Sequence, residues 1–269
     1  MLTKAVLLAA GQSSRMRRND ANASVSAAQA AAVASGVKAL IPIDRPFLDY
    51  VLTSVADAGY QRVCLVVGPG HNPLRDRYAR MSGGRLEFEF AVQQTPLGTA
   101  HALGAAAEFS GNDDFLLINS DNYYPVEPLR VLREIDGPGT VGFQSSGLIT
   151  TSNIPAARIF RFALMEQDDC GYLRRIVEKP EPEAVEDFSE TFLVSMNCWR
   201  FGPEIFAACR SIDKSSRGEF EIADAVSYSM QELGQRYRVV TSNASVLDLS
   251  FQSDIVRVAE RLAGKQVKL

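Results

Sequence analysis

The amino-acid sequence predicts an α/β fold with a mixed, mainly parallel sheet and helices on both faces. Three observations carry this. Lys4–Ala10 (KAVLLAA) is an unbroken apolar run ending at Gly11, as a strand covered on both faces would be. Similar runs recur at Arg62–Val67, Leu86–Val92 and Phe115–Ser120. Segments with helical periodicity lie between them: Phe47–Ala58 puts Leu48, Val51, Leu52 and Val55 on one face, and Gly98–Phe109 is alanine-rich. Strands alternating with helices imply right-handed crossovers and parallel neighbours.

After Ser120 the pattern changes. Arg158–Met165, Tyr172–Val177 and Thr191–Phe201 read as strands that follow one another closely. Gly202–Cys209 and Gly218–Leu233 read as helices, Tyr237–Ser242 and Val246–Leu249 as short strands, and Phe251–Ala263 as a closing helix. Residues 19–36 are nearly all small. Asn22 or Ser24 can cap a short helix there that ends at Gly36. With so little bulky apolar surface, the segment reads either as a flap ordered by a ligand or as a spacer without a role.

The chain has 269 residues, 46% hydrophobic and 22% charged, with a net charge of −4. That suits a large globular domain and gives no electrostatic reason for a nucleic-acid partner. Cys64, Cys170, Cys198 and Cys209 form no CxxC pair, so reduced thiols are expected rather than a zinc site. The apolar N-terminal run is short and stops at a glycine turn. No run reaches the roughly 20 apolar residues of a membrane span. A cytoplasmic protein with no membrane partner is expected, and a homo-oligomer is left open.

The chemistry-bearing residues begin directly after the first run, at Ala10-Gly11-Gln12-Ser13-Ser14-Arg15. A glycine at the carboxyl end of a first strand lets backbone approach a ligand, and that edge is where open α/β sheets bind ligands. Backbone N–H groups with Ser13, Ser14 and Arg15 can surround a phosphate chain. A plain structural turn is the competing reading. The stretch is neither GxGxxG nor a GK[ST] loop, which argues against a dinucleotide fold and an ATPase.

Leu8–Met16 (LAAGQSSRM) resembles the opening signature of nucleotidyltransferases with the nucleotide-diphospho-sugar transferase fold, a Rossmann-like architecture. Further segments resemble that family in order: Lys38–Ile43 (KALIPI), Arg45–Leu52, Gln93–Ala102 (QQTPLGTAHA), Asn119–Asn122 (NSDN), Val177–Pro180 (VEKP) and Gly218–Ala225 (GEFEIADA). Together they span most of the chain, which is read as one domain over 1–269. Its nucleotide-binding half is 1–125 and its sugar-phosphate-binding half 126–269.

The resemblance implies condensation of a nucleoside triphosphate with a sugar 1-phosphate, releasing pyrophosphate, with Mg²⁺ as cofactor. Two anions must meet, so cations and alignment are needed more than a base. It assigns Arg15, Lys38, Asp121 and Lys179 to catalysis. Ala10, Gly11, Ser13, Ser14, Gln93, Gly98 and Thr99 are assigned to the nucleotide, since a glutamine amide offers a base both donor and acceptor. Gly171, Glu178, Lys179 and Asn197 are assigned to the sugar phosphate. Asp121 and Asp248 are assigned to the metal, as hard oxygen ligands. Glu219 and Asp224 are read as structural or as supports behind the ligand-contacting residues, and His101 as a packing or surface residue.

Three features depart from the sugar-1-phosphate branch, one being Asn119-Ser120-Asp121 where a glycine usually precedes the aspartate. Ser13-Ser14-Arg15 looks more like the molybdenum-cofactor branch, and 22 residues separate Arg15 from Lys38. Cytidylyl or guanylyl transfer to another phosphorylated acceptor, of the phosphocholine or molybdenum-cofactor type, therefore stays open. So does a catalytically silent nucleotide-sugar-binding subunit. The base and the sugar are left undecided.

Overall fold

The structure, a computed structural model, describes residues 2–11, 13–17, 25–81, 83–181, 183, 185, 188 and 192–269. Its first half runs β1 (Lys4–Leu8), α1 (Ala27–Ser35), α2 (Phe47–Asp57), β2 (Arg62–Val67), α3 (Asn72–Ala79), β3 (Glu87–Val92), α4 (Thr99–Gly104), α5 (Ala107–Ser110) and β4 (Phe115–Asn119). The second half continues with β5 (Asn122–Tyr123), α6 (Val126–Glu134), β6 (Gly139–Gln144), α7 (Ser145–Thr151), β7 (Ala163–Gln167) and β8 (Leu173–Val177). It closes with β9 (Leu193–Phe201), α8 (Ile205–Ser211), α9 (Ile222–Glu232), β10 (Arg238–Ser242), β11 (Leu247–Asp248) and α10 (Asp254–Leu262).

Strands from both halves share one sheet, in the order β10-β6-β9-β4-β1-β2-β3. All of these run the same way except β9, which is antiparallel to both β4 and β6. β7 and β8 extend from β9 as an antiparallel pair. A separate ribbon pairs β5 with β11, setting Asn122 opposite Asp248.

Both faces of the sheet are covered, which is why β1 is apolar throughout. Ala5 and Leu7 enter one core with Val51, Leu52, Val55, Ile255 and Val258. Val6 enters the other with Leu103, Trp199, Ile222 and Val226. Side chains alternate across a strand, so one residue on the strand feeds each core in turn.

Several elements differ from the sequence reading. Residues 156–161 form a 3-10 helix and the strand starts only at Ala163. The alternation of arginines and apolar residues imitates strand period, but Pro155 opens a helical turn and Arg158 buries its guanidinium against Asp254. The single helix expected over Gly98–Phe109 is two, α4 and α5, parted at Ala105–Ala106. The helix expected from Gly218 starts at Ile222, because residues before it bond to another segment: Phe220 N donates to Leu97 O and Ala100 N to Phe220 O. β6 escaped detection because its glycines lower strand propensity. Packing is tight at Gly142, where a Cβ would lie 2.6 Å from the Leu193 side-chain tip and 3.1 Å from Val239.

The small-residue insert is docked where it is described. Asn22 and Ser24 lie outside the described residues. Ser26 caps α1, with Gln29 N donating to Ser26 Oγ and Ser26 N to Gln29 Oε1 in a reciprocal capping box. Val33 is buried, Gln29 Nε2 donates to Pro42 O, and Ser13 Oγ donates to Gly36 O at 2.6 Å. These contacts tie the helix to the turn after β1.

Candidate active site

Among the described residues, a cleft of about 390 Å³ opens at the carboxyl ends of β1 and β4. Parallel strands splay apart there, leaving backbone and side chains free to meet a ligand. It gathers Ala10, Gly11, Ser13, Ser14, Arg15, Lys38, Gln93, Gly98, Thr99, Asp121, Glu178, Lys179, Asn197 and Asp248 from separate parts of the chain. Gly171 is not among the residues that line it. That glycine, at φ 78, turns β7 into β8 and lies beside Arg238. The turn bridges Tyr172 to Arg238 on β10, away from the cleft wall, so the sequence-stretch around Gly171 serves sheet closure here.

The turn after β1 is open at Gly11, where a Cβ would meet nothing within 4 Å. His71, on the loop before α3, accepts from Gly68 N through Nδ1 and bonds to the Ala9 backbone. Burial lowers its pKa, and the Ala9 bond partly offsets this. Arg15 is exposed, with its guanidinium 5.7 Å from the Phe251 ring. Lys38 Nζ pairs with Asp121 Oδ2 at 2.5 Å.

Asp121 and Asp248, far apart in sequence, meet through the β5–β11 ribbon. Leu249 N donates to Asp121 O at 2.9 Å, beside the Asn122–Asp248 register pair. Asp248 is held on all sides. Asn153 brackets its backbone, accepting from Asp248 N and donating to Asp248 O. Asn122 Nδ2 and Ser250 Oγ both donate to Oδ1 at 3.0 Å. Arg158 Nη1 stands 3.6 Å from Oδ2. Oδ2 is nonetheless buried without a hydrogen-bond partner among the described residues. Burial, reinforced by the neighbouring Asp121 charge, pushes the Asp248 carboxyl up to about 6, against the pull of Arg158.

Arg158 itself makes a two-pronged pair with Asp254, at 2.9 and 2.8 Å. Asp254 in turn accepts from Ser250 N and Phe251 N. Arg158 and Arg161 both line the cleft. No motif in the sequence marked them, because their segment reads as a strand and the carboxylate partners of Arg158 lie about a hundred residues away.

One wall of the cleft is built from the turn into α4. Gly98 has φ 111, and a Cβ there would lie 2.7 Å from Phe220 N and overlap the Phe220 carbonyl. Only glycine fits both the backbone angle and this approach. Gln93 Nε2 donates to Gly98 O and contacts His101 Nδ1, each at 3.0 Å. Thr99 Oγ1 accepts from Ile222 N, capping α9 from across the molecule.

Glu178 sits 3.1 Å from Lys179 Nζ and 3.7 Å from Arg217. Burial pushes the Glu178 carboxyl up, offset by Lys179 and reinforced by Glu221. Arg217 also pairs with Glu221 at 2.5 Å. Glu219 lines the cleft and Asp224 does not. Burial and the Glu221 charge raise both carboxyls. Asn197 sits where the β6–β9 register slips between Thr140 and Gly142, with φ 53. A bulge of this kind re-aims one side chain out of the ladder. Among the described residues, Ser13, Lys179 and Asn197 are the non-glycine positions with positive φ, and all three line the cleft. Backbone strain of this kind concentrates at functional sites.

A sequence model described as nucleotidyl transferase matches residues 4–262. The low-salt glycan biosynthesis nucleotidyltransferase Agl11 of Haloferax volcanii is 28% identical over 85% of this chain, which spans 57% of that relative's length. The UTP–glucose-1-phosphate uridylyltransferase AglF of the same organism is 24% identical over 96% of both chains. A solved UDP-glucose pyrophosphorylase complexed with UDP-glucose superposes with a TM-score of 0.76 at 17% identity, covering 99% of this chain and all of that one. The architecture is therefore the nucleotide-diphospho-sugar transferase fold. With the matched stretch covering nearly its whole length, the chain belongs to the nucleotidyl transferase family.

Proposed function

We propose that the protein condenses a nucleoside triphosphate, uridine triphosphate foremost, with a sugar 1-phosphate to give a nucleotide sugar and pyrophosphate. The observation that carries this is one cleft whose cationic side chains include Arg15, Lys38 and Lys179, together with the Asp121–Asp248 pair. Cations on both sides suit two phosphorylated reactants. The uridylyltransferase name of a relative matching along its full length supports uridine and glucose 1-phosphate.

In the reaction a phosphate oxygen of the sugar 1-phosphate forms a bond to the α-phosphorus, and the bond from that phosphorus to the bridging oxygen breaks. Pyrophosphate leaves with the bonding pair. The attacking oxygen is already ionised at neutral pH, so no side chain needs to remove a proton. Arg15 and the backbone of Ala10, Gly11, Ser13 and Ser14 grip the triphosphate. Lys38 contributes a point charge shared with Asp121. Gln93, Gly98 and Thr99 form the base wall. Lys179 binds the sugar phosphate, while Glu178 and Asn197 accept and donate to sugar hydroxyls. Alignment and charge compensation supply the rate enhancement.

The donor set fits Mg²⁺. Asp248 Oδ2 is a buried carboxylate oxygen with no hydrogen-bond partner among the described residues, and its neighbour Asp121 offers a second hard oxygen. When bound, the ion would neutralise charge on the phosphates. The test is a matrix of nucleoside triphosphates against sugar 1-phosphates with Mg²⁺, read by pyrophosphate release. Release with UTP and a hexose 1-phosphate is expected. No release with any pair would sink the assignment.

A further inference from the structure

Gln93 has two amide hydrogens and one amide oxygen to place. The Gly98 carbonyl can only accept, so the atom 3.0 Å from it is the amide nitrogen, whatever the rotation of the side chain elsewhere. The same nitrogen lies 3.0 Å from His101 Nδ1. A nitrogen carrying two hydrogens, one already given to Gly98, gives the other to His101. Nδ1 must then carry the lone pair, with the ring proton on Nε2. The ring is seated by stacking on Phe220, with centroids 6.4 Å apart and planes 23° apart. Phe220 is fixed in turn by its backbone bonds to Leu97 and Ala100.

Both hydrogens of Gln93 are therefore spent inside the protein. Among the described residues Oε1 has no protein partner, and it is not one of the side-chain atoms sealed in the interior. Gln93 lines the cleft, and with both amide hydrogens engaged the oxygen is the group it has left to offer there. A carbonyl oxygen there accepts from a base N–H and repels a base lone pair.

We propose that His101 is a positioning residue for base selection, taking the second amide hydrogen of Gln93 so that only the acceptor Oε1 meets the base. The inference rests on the nucleotidyl-transfer reading and sharpens it. Uracil and thymine each present one N–H on their pairing edge, at N3, between two carbonyls, so that ring N–H is the group Oε1 takes. With His101 gone, one amide hydrogen is left without an acceptor, and the whole amide can turn, releasing Gly98 and presenting N–H in place of Oε1.

The test uses the full chain with Mg²⁺, UTP and N3-methyluridine triphosphate, comparing wild type, His101→Leu and His101→Asn. Asparagine keeps an acceptor oxygen close to where Nδ1 stands, and leucine does not. Wild type should bind UTP at least ~30-fold more tightly than the methylated analogue, because methylation leaves Oε1 unpaired. His101→Leu should lose about 5-fold in UTP affinity, the worth of one hydrogen bond, and its preference should narrow below ~10-fold. His101→Asn should stay within about 2-fold of wild type on both measures. The sugar-phosphate KM should not follow the nucleotide affinity in either variant.

Wild-type affinity and selectivity in His101→Leu would overturn the proposal. So would an equal loss in His101→Asn, which would point to ring packing rather than the hydrogen bond, or an absence of UTP binding by wild type. Failure of the parent reading is separate: it shows as no pyrophosphate release by wild type, while the binding comparison still reads His101.

Discussion

Asp248→Asn should make the metal-free protein more stable at neutral pH while abolishing turnover. Asp248 is fully buried and its carboxyl is pushed up to about 6 by burial and by Asp121. An unfolded aspartate titrates near ~3.9, so the gap is about 2 units, or ~3 kcal/mol at ~1.4 kcal/mol per unit. The sign follows from proton binding. Between the unfolded and folded values the folded state holds the proton and the unfolded state has lost it. Stability is therefore full below about pH 4 and falls as pH rises through about 6, after which the loss is constant.

Asparagine carries no charge and keeps an oxygen to accept from Asn122 and Ser250. It also forfeits the Arg158 attraction across 3.6 Å. The net gain at pH 7.5 is then ~1–3 kcal/mol, or roughly 2–8 °C in Tm for a chain of this size. The assay is differential scanning calorimetry of both proteins in chelator across pH 4–8. Glu178, Glu219 and Asp224 are also raised, but they are common to both proteins and cancel in the difference. The gap should open between pH 4 and 6 and stay level above. A variant less stable than wild type at pH 7.5, or a gap indifferent to pH, would refute the reasoning.

Gly98→Ala should cost ~2–4 kcal/mol, because the new Cβ meets Phe220 backbone and the φ of 111 is strained for any side chain; chemical denaturation reads this, and UTP affinity should fall with it. Arg158→Met should destabilise by ~3–5 kcal/mol, since Asp248 and Asp254 would be left buried without their cation. An urea midpoint equal to wild type would show that the network is not stabilising. Lys179→Ala should raise the sugar-phosphate KM by ~10–100-fold and leave the nucleotide KM within about 2-fold; steady-state kinetics with each substrate varied separates the two.

Much of the site was legible because its residues sit in short local patterns. Gly11, Lys38, Asp121 and the pair Glu178–Lys179 each follow or adjoin a strong strand or turn signal in the sequence. The unbroken apolar runs at β1, β2 and β4 announced strands covered on both faces, and the structure has them. Local pattern failed where local chemistry was ambiguous. β6 hid behind its glycines, and the arginine-rich stretch at 156–161 imitated a strand.

The sequence by itself determined which residue types stand at the ends of which elements, since those depend on neighbours a few positions away. Only the tertiary structure decided that Arg158 and Asn153 would hold Asp248, that Phe220 would press on Gly98, and that His101 would claim an amide hydrogen of Gln93. Most of these contacts join residues about a hundred positions apart. The Gln93–His101 pair spans only eight, yet needs Phe220 to seat the ring. Hydrogen bonds and ion pairs act over a few ångströms of space, and distance along the chain does not reveal which side chains packing will bring within that reach.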